Sequence, residues 1–465
     1  MDGSASLSQF TERLRVEFER RFPRSLAALH SAGPQLLGGT SHSLRGNNPF
    51  MVLVDQASGS QVFDLDGHRI IDYWQGHYAN LLGHNPRFVT EALAEELSRG
   101  KGLHDGMLHE IEHHLAELLC ARTGMDRARF TTSGSLATFY ATLLARCFTN
   151  RKGVLKVSGG WHGSQPFGLK GVSSRDGTYD HLESEGLPES LGDEILLVKY
   201  NDVVALRKTF AEQGRRIACF IVEPLLGSGG GITATREFLA EARRLTSSHG
   251  ALLISDEIIS GFRFRAGDLI SSYGVTADLL VLGKIIGGGM PVAAVLGRED
   301  VMRLCTPGGG SRVRFEGGTY SAHPLALLAA RTMVEKLCDA GSTTYAELAN
   351  KGEWLRAELI AQFERLSVPV CVTGSLPAGM GGSSVVMWHF VKQQGLQPSC
   401  AEDLTRKDRR HPVVDAALFR AVSLLEDLHV KGGGCVSGAH SDADLKSTLQ
   451  SVANAVARLR EAELM

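Results

Sequence analysis

The chain of 465 residues predicts an α/β fold built on a mainly parallel sheet, followed by a smaller α+β domain. Three observations carry that prediction. Between about Phe130 and Gly297, helix-like stretches alternate with short apolar strands, the pattern left by parallel strands joined through crossover helices. The length exceeds what one hydrophobic core holds, so a large domain needs a companion. Several of the apolar strands end on polar groups, and ligands gather at the carboxyl ends of parallel strands.

In chain order, residues from about Phe10 to Leu29 mix charged and apolar groups like an amphipathic helix packed on another surface. Val62 to Tyr73 reads as two short strands around an Asp66-Gly67 turn, a hairpin signal. Helical patterns follow over Val89–Ser98 and Leu108–Thr123. The sheet strands are expected at Val154–Val157, Ile195–Val198, Ile217–Val222, Leu252–Ser255, Leu279–Leu282 and Val292–Leu296, with a further strand leading into Thr131. From about Leu325 a long helical stretch leads to strands at Val368–Thr373 and Ser384–Phe390 and helices near Val413–Leu428 and Asp442–Leu464. This divides the chain into an N-terminal segment (1–75) packed with the small domain, a large domain (76–325) and a C-terminal α+β domain (326–465). The polar, irregular segments Ser173–Gly192 and Gln394–His411 are expected to be mobile loops.

Hydrophobic residues at 43% and charged residues at 22% are ordinary for a globular protein, and a net charge of −2 leaves no electrostatic footprint for nucleic acid or an anionic membrane. No apolar run approaches the ~20 residues that cross a bilayer, and the start carries no basic region before an apolar stretch, so a cytoplasmic location is expected. The eight cysteines form no C-x-x-C pair and read as reduced thiols.

Lys284 is the residue that points to chemistry. It ends Leu279-Leu280-Val281-Leu282-Gly283 and opens Ile285-Ile286-Gly287-Gly288-Gly289, so an apolar strand delivers one amine into a glycine-rich turn. Burying that ammonium is costly unless its charge is removed, and imine formation with an aldehyde removes it. The strand Ala251–Ser255 ends in Asp256-Glu257, and such a carboxylate is the partner a pyridinium nitrogen requires. Thr131-Thr132-Ser133-Gly134-Ser135 follows a strand and opens a helix, where backbone N–H groups and the helix dipole favour a phosphate. Taken singly, each has a plainer reading as a surface turn, a solvated loop or a helix cap. Together they suggest pyridoxal 5'-phosphate.

These residues, with Gly38-Gly39-Thr40, Leu82-Gly83-His84-Asn85, Trp161-His162-Gly163, Val222-Glu223-Pro224 and Gly318-Thr319, give the chain its resemblance to the class III pyridoxal-phosphate aminotransferases of fold type I. Within them it is similar to the branch of glutamate-1-semialdehyde aminomutase and of aminotransferases for β-amino acids and arylglycines. The resemblance runs from about Gly38 to the last helix. It implies a seven-stranded sheet between helices and a homodimer whose active site is shared across the interface.

Residue by residue, the resemblance implies that Lys284 forms the Schiff base and that Asp256 pairs with the ring nitrogen. Ser133, Gly134 and Ser135 would lie at the phosphate, with Thr319 reaching it from the neighbouring subunit. Trp161 would stack on one ring face, where the family more often has tyrosine or phenylalanine, and Ile258 would press on the other. His162 belongs to the same cofactor-binding motif. Glu223 is either a structural hydrogen-bond hub or an organiser of the site. Ser228 is the obvious substitute for the amide that relatives use at the ring's phenolic oxygen. Arg45 falls where the aminomutase branch grips a substrate carboxylate, a task suited to a guanidinium fork, against its plainer reading as a loop arginine. His77 and Tyr78 replace a tryptophan-bearing pocket wall and are expected at the substrate.

Departures from the aminomutase pattern include Leu136 where relatives carry a glutamate and His323 where asparagine is common. The expected activity is therefore an aminotransferase for a carboxylate-bearing amino compound, a β-amino acid or specialised-metabolism intermediate, with a keto acid as the other partner. The alternatives are an aminomutase and, further off, a decarboxylase or racemase on the same scaffold. A non-enzymatic binding protein is disfavoured because Lys284 and Asp256 are both present. His109-Glu110-Ile111-Glu112-His113 matches a zinc-peptidase string but is set aside as a surface helix pattern, so no metal is expected.

Overall fold

The computed structural model describes residues 3–175, 177–308, 310–339 and 343–465, with the backbone alone for 3–6. Among them the central sheet has seven strands, in the order Arg127–Thr131, Ala293–Gly297, Leu279–Leu282, Leu252–Glu257, Ile217–Val222, Gly153–Val157 and Ile195–Val198. The last five are parallel to one another, whereas Ala293–Gly297 runs antiparallel to both of its neighbours. Its reversal follows from the short connection 283–292, less than the dozen or so residues of a parallel crossover.

Both faces of the sheet are covered, which is why its strands read as continuous apolar runs rather than alternating ones. On one face Leu252, Ile254, Val281 and Val295 pack on Ala137, Ala141 and Leu144 of the helix Gly134–Thr149. On the other, Phe220, Val222 and Leu253 meet Phe238, Leu239 and Ala242 of the helix Arg236–His249. Farther along, Leu280, Leu282 and Leu296 are covered by the helices Glu110–Thr123 and Pro324–Cys338.

The amphipathic N-terminal pattern forms two helices, Gly3–Arg21 and Pro23–Ser31, because Pro23 lacks the N–H to continue the first and is preorganised to start the second. Phe10, Leu14, Phe18 and Phe22 join a core with Leu355, Phe363, Trp388, Val452 and Leu459 of the C-terminal region. The hairpin Gln61–Asp64 and Arg69–Asp72 lies in a four-stranded sheet with Val54–Ser58 and with Leu428–His429 from the far end of the chain. A three-stranded antiparallel sheet of Val370–Thr373, Val385–Phe390 and Gly433–Cys435 completes this region.

The two polar segments expected to be mobile loops touch each other. The Tyr179 ring is buried, with its hydroxyl 3.3 Å from that of Thr405, and Cys400 and Ala401 are buried in the same cluster; Asp176 lies outside the described residues. The zinc-peptidase string also fails to share one helix. His109 precedes the helix Glu110–Thr123 and bonds back to Asp105, while His113 is exposed. Among the described residues no helix is long and apolar enough to cross a membrane.

Candidate active site

Sheet register brings the chemistry together. Glu257 pairs with Leu282 and Ser255 with Val222, so Asp256, Glu223 and Lys284 all emerge at one edge of the sheet. Lys284 starts a tight turn, Lys284–Gly287, with φ of +46°, a left-handed backbone that a lysine adopts only under constraint. A Cβ on the preceding Gly283 would lie 2.9 Å from the Ile258 side chain, so glycine is what lets the lysine and Ile258 approach.

Asp256 is buried and held from two sides. One carboxylate oxygen accepts the Ile258 N–H at 3.1 Å, and the other is 2.7 Å from Nδ1 of the buried His162. Glu223 accepts the Trp161 N–H at 3.0 Å and the Gly227 N–H at 3.1 Å, so its carboxylate ties together the two turns beside the pocket. The helix Gly134–Thr149 begins at the same edge, its first turn capped by the Ser133 hydroxyl. Ser135 Oγ accepts the Ser164 N–H at 3.1 Å, and Thr138 Oγ1 donates to the His162 carbonyl at 2.6 Å, so the helix start and the Trp161–Gly163 turn are stitched together.

Between these elements lies a pocket of about 160 Å³ lined by Gly134, Ser135, Thr138, Trp161, His162, Gly163, Glu223, Asp256, Ile258, Ile259 and Lys284. Burial pushes the Lys284 ammonium below the usual lysine range, opposed by the carboxylates of Asp256 and Glu223. Burial, reinforced by the charge of Asp256, pushes the Glu223 carboxyl up to about 8. Burial also lowers His162, against the pull of Asp256, which favours a neutral ring donating from Nδ1.

Other expected site residues lie outside this pocket. Ser133, Ser228, Thr319 and Arg45 are exposed, and none of them lines it. Gly318 places the Thr319 turn beside Thr132 and Leu136 at the helix start. His77 and Tyr78 are half-buried in a left-handed turn with φ of +62° and +67°. The His77 ring lies tilted against Trp74, centroids 4.1 Å apart, and 4.7 Å from His42. Burial and the charges of His42, Arg45, Lys284 and Lys431 push it down to about 4, so Arg45 and His77 share one electrostatic neighbourhood with the lysine.

Three contributors escaped the sequence reading. Lys156 is fully buried within an apolar strand, its ammonium donating to the carbonyls of Gly168 (3.0 Å) and Lys170 (2.7 Å), and the charge in that apolar run was the available signal. Arg263 is also fully buried, donating to the carbonyls of Ile259 (2.9 Å) and Tyr78 and thereby joining the pocket wall to the His77 turn. Thr138 sits one helical turn past Gly134, where nothing in the sequence distinguishes it from a packing residue.

The donor set fits pyridoxal phosphate. The open N-terminus of the Gly134–Thr149 helix would hold a phosphate, Asp256 a ring nitrogen, Trp161 and Ile258 the two ring faces, and Lys284 an aldehyde. A Cβ at Gly134 would come within 3.0 Å of Ile258, so the helix start must be bare to leave a slot there.

Comparison with known proteins gives the same reading. Residues 43–376 match the model of the aminotransferase class-III family. Glutamate-1-semialdehyde 2,1-aminomutase of Chloroflexus aurantiacus is 33% identical over 450 residues, covering 94% of this chain and 98% of the relative. The β-phenylalanine aminotransferase of Variovorax paradoxus superposes with a TM-score of 0.83 at 28% identity, covering 98% of both chains. A transaminase solved with PLP bound superposes with a TM-score of 0.81 at 25% identity, covering 95% of this chain and 99% of that one. The protein is thus an enzyme that uses pyridoxal phosphate, and the chain belongs to the class-III aminotransferase family.

Proposed function

We propose that the protein is an aminotransferase that moves an amino group between a carboxylate-bearing amino compound and a keto acid. The observation that carries this reading is that two cations flank His77: Arg45 ends the turn that His42 caps, 4.7 Å from the His77 ring, and Lys431 lies 5.2 Å from the Trp74 ring that His77 contacts at 4.1 Å. Cations gathered at the approach to a reacting amine suit an anionic substrate, and Arg45 has the planar fork that grips a carboxylate. When bound, the cofactor supplies an aldehyde for the amine and an electron sink for the bond to be broken.

The rest is done by side chains. Lys284, whose ammonium burial pushes below the usual lysine range, serves as the base that moves a proton at the substrate carbon. Asp256, oriented by His162 and the Ile258 N–H, would hold the cofactor's ring nitrogen and favour its protonated form. Glu223 holds the Trp161 turn in place through backbone N–H groups. The active form is a homodimer to which the exposed Thr319 turn contributes from the neighbouring subunit.

An aminomutase is the second reading, favoured by the name of a curated relative that covers 94% of the chain. The two are separated by incubating the enzyme with a panel of amino acids, with and without pyruvate or 2-oxoglutarate. Turnover that depends on the keto acid supports the transferase, and isomerisation without it overturns that reading in favour of the mutase. Arg45→Ala is expected to weaken carboxylate-bearing substrates by about tenfold or more relative to neutral amines. Equal loss for both would remove Arg45 from the substrate site.

A further inference from the structure

Gln75, Gly76, His77 and Tyr78 all have left-handed backbone, with φ of +44°, +62°, +62° and +67°. L-residues visit that region singly and at a cost that glycine escapes, so a run in which only Gly76 is glycine is held there by its surroundings. The run closes on itself through the Tyr78 N–H, which donates to the Trp74 carbonyl at 2.7 Å, and the Ala79 N–H, which donates to that of Gln75 at 3.0 Å. It packs against the Lys284–Gly287 turn, whose first residue is left-handed as well.

The two ends of the run are fixed by different means. At its start Asp72 accepts the N–H groups of Trp74 and Gln75 (both 2.9 Å), and the same carboxylate lies 2.8 Å from a ring nitrogen of His84 and 2.9 Å from one of His429. At its end the Tyr78 carbonyl accepts from Nη2 of Arg263. Arg263 is 1% exposed, and no carboxylate pairs with it among the described residues. A guanidinium taken out of water without a counter-charge is costly, so its value lies in the geometry it imposes. Its Nε donates to the Ile259 carbonyl at 2.9 Å, and Ile259 lines the pocket around Lys284. One rigid fork thus fastens the end of the strained run to the pocket wall.

We propose that Arg263 is a positioning residue for substrate binding: it keeps the run Gln75–Tyr78 closed on the Lys284 turn, so that His77 and Tyr78 stand as a fixed wall beside the reacting amine. That a substrate meets this wall rests on the aminotransferase reading. Arg263 itself touches no reacting atom, so its loss loosens binding more than it slows the chemical step. Without the fork the run relaxes towards ordinary backbone and the wall moves away from Lys284.

The test uses the holoenzyme and the best amino compound found in the amino-acid panel. Arg263→Met is expected to raise KM for that compound about tenfold while kcat stays within about threefold and the absorbance of the bound cofactor is unchanged. Arg263→Lys, a point donor that reaches one carbonyl rather than bridging two, should raise KM by about threefold, and it carries the test if Arg263→Met does not fold. A lower Tm or kcat with KM unmoved marks a merely structural arginine and overturns the proposal. The strain is read separately by comparing His77→Gly with His77→Ala, since both lose the ring but only glycine takes this backbone freely. His77→Gly should melt about 1–3 °C above His77→Ala, and equal melting would leave no strained run for Arg263 to hold. KM is read in whichever reaction the panel reveals, so turnover without a keto acid sinks the transferase reading alone, whereas an unmoved KM sinks the role of Arg263 alone.

Discussion

Nδ1 of His162 lies 2.7 Å from a carboxylate oxygen of Asp256, and both side chains are buried at the sheet edge beside Lys284. The imidazole orients the acid proposed to pair with the cofactor ring. Replacing a group that orients a ligand-binding side chain commonly costs 10–100-fold, and His162→Ala is expected to lower kcat by about that range. His162→Gln, able to donate one N–H, should recover part of it. Unchanged kcat in His162→Ala would show that Asp256 needs no such support.

Gly163 has φ of +86°, and a Cβ there would fall 2.4 Å from Ser135 Oγ and 2.5 Å from Ser135 Cα. Gly163→Ala must push the helix start away from the turn, so a stability loss of about 1–3 kcal/mol and weaker retention of pyridoxal phosphate on dialysis are expected. Gly186→Ala, where an added Cβ meets nothing within 4 Å, is the control and should behave as wild type.

Lys156→Met removes the donor to two carbonyls while keeping most of the buried volume. The oxygens of Gly168 and Lys170 are then left without that partner, at a cost of about 1–3 kcal/mol for each group that finds no substitute. The lost stability should show as a lower Tm and as faster amide exchange across 163–170. A Tm equal to that of wild type would mean the carbonyls find other partners.

Glu257, fully buried, is pushed up from 4.5 to about 8 by burial and the neighbouring Asp268. In the folded protein it keeps a proton that the unfolded chain releases. Its contribution to stability is therefore complete below pH 4.5 and is lost as pH rises towards about 8. In urea unfolding of the cofactor-free protein, Glu257→Gln should gain on wild type by about 2 kcal/mol or more between about pH 5 and pH 8. Parallel curves for the two proteins would contradict the raised carboxyl.

The strands of the central sheet were legible because residues buried on both faces must be apolar throughout, and the run before Lys284 leaves no other reading. The register of mixed strands was less so. Ala293–Gly297 is as apolar as its neighbours, and only the length of its connection distinguishes an antiparallel partner. That Ser173–Gly192 and Gln394–His411 touch was not legible, because polarity reports the solvent contact of each segment alone, whereas Tyr179 and Ala401 are buried in one cluster.

What the amino-acid sequence determined by itself is which groups stand at strand ends and helix starts: Lys284, Asp256, Glu223 and the Ser133–Ser135 turn. Their placement follows from local periodicity and from the cost of burying a charge without a use. The partners were decided only by tertiary structure, which joins His162 to Asp256, Lys156 to the carbonyls of Gly168 and Lys170, and Arg420 and Lys431 to Trp74. Most of those pairings link residues far apart in the chain, and all of them depend on sheet order and domain packing, which no local pattern of polarity encodes.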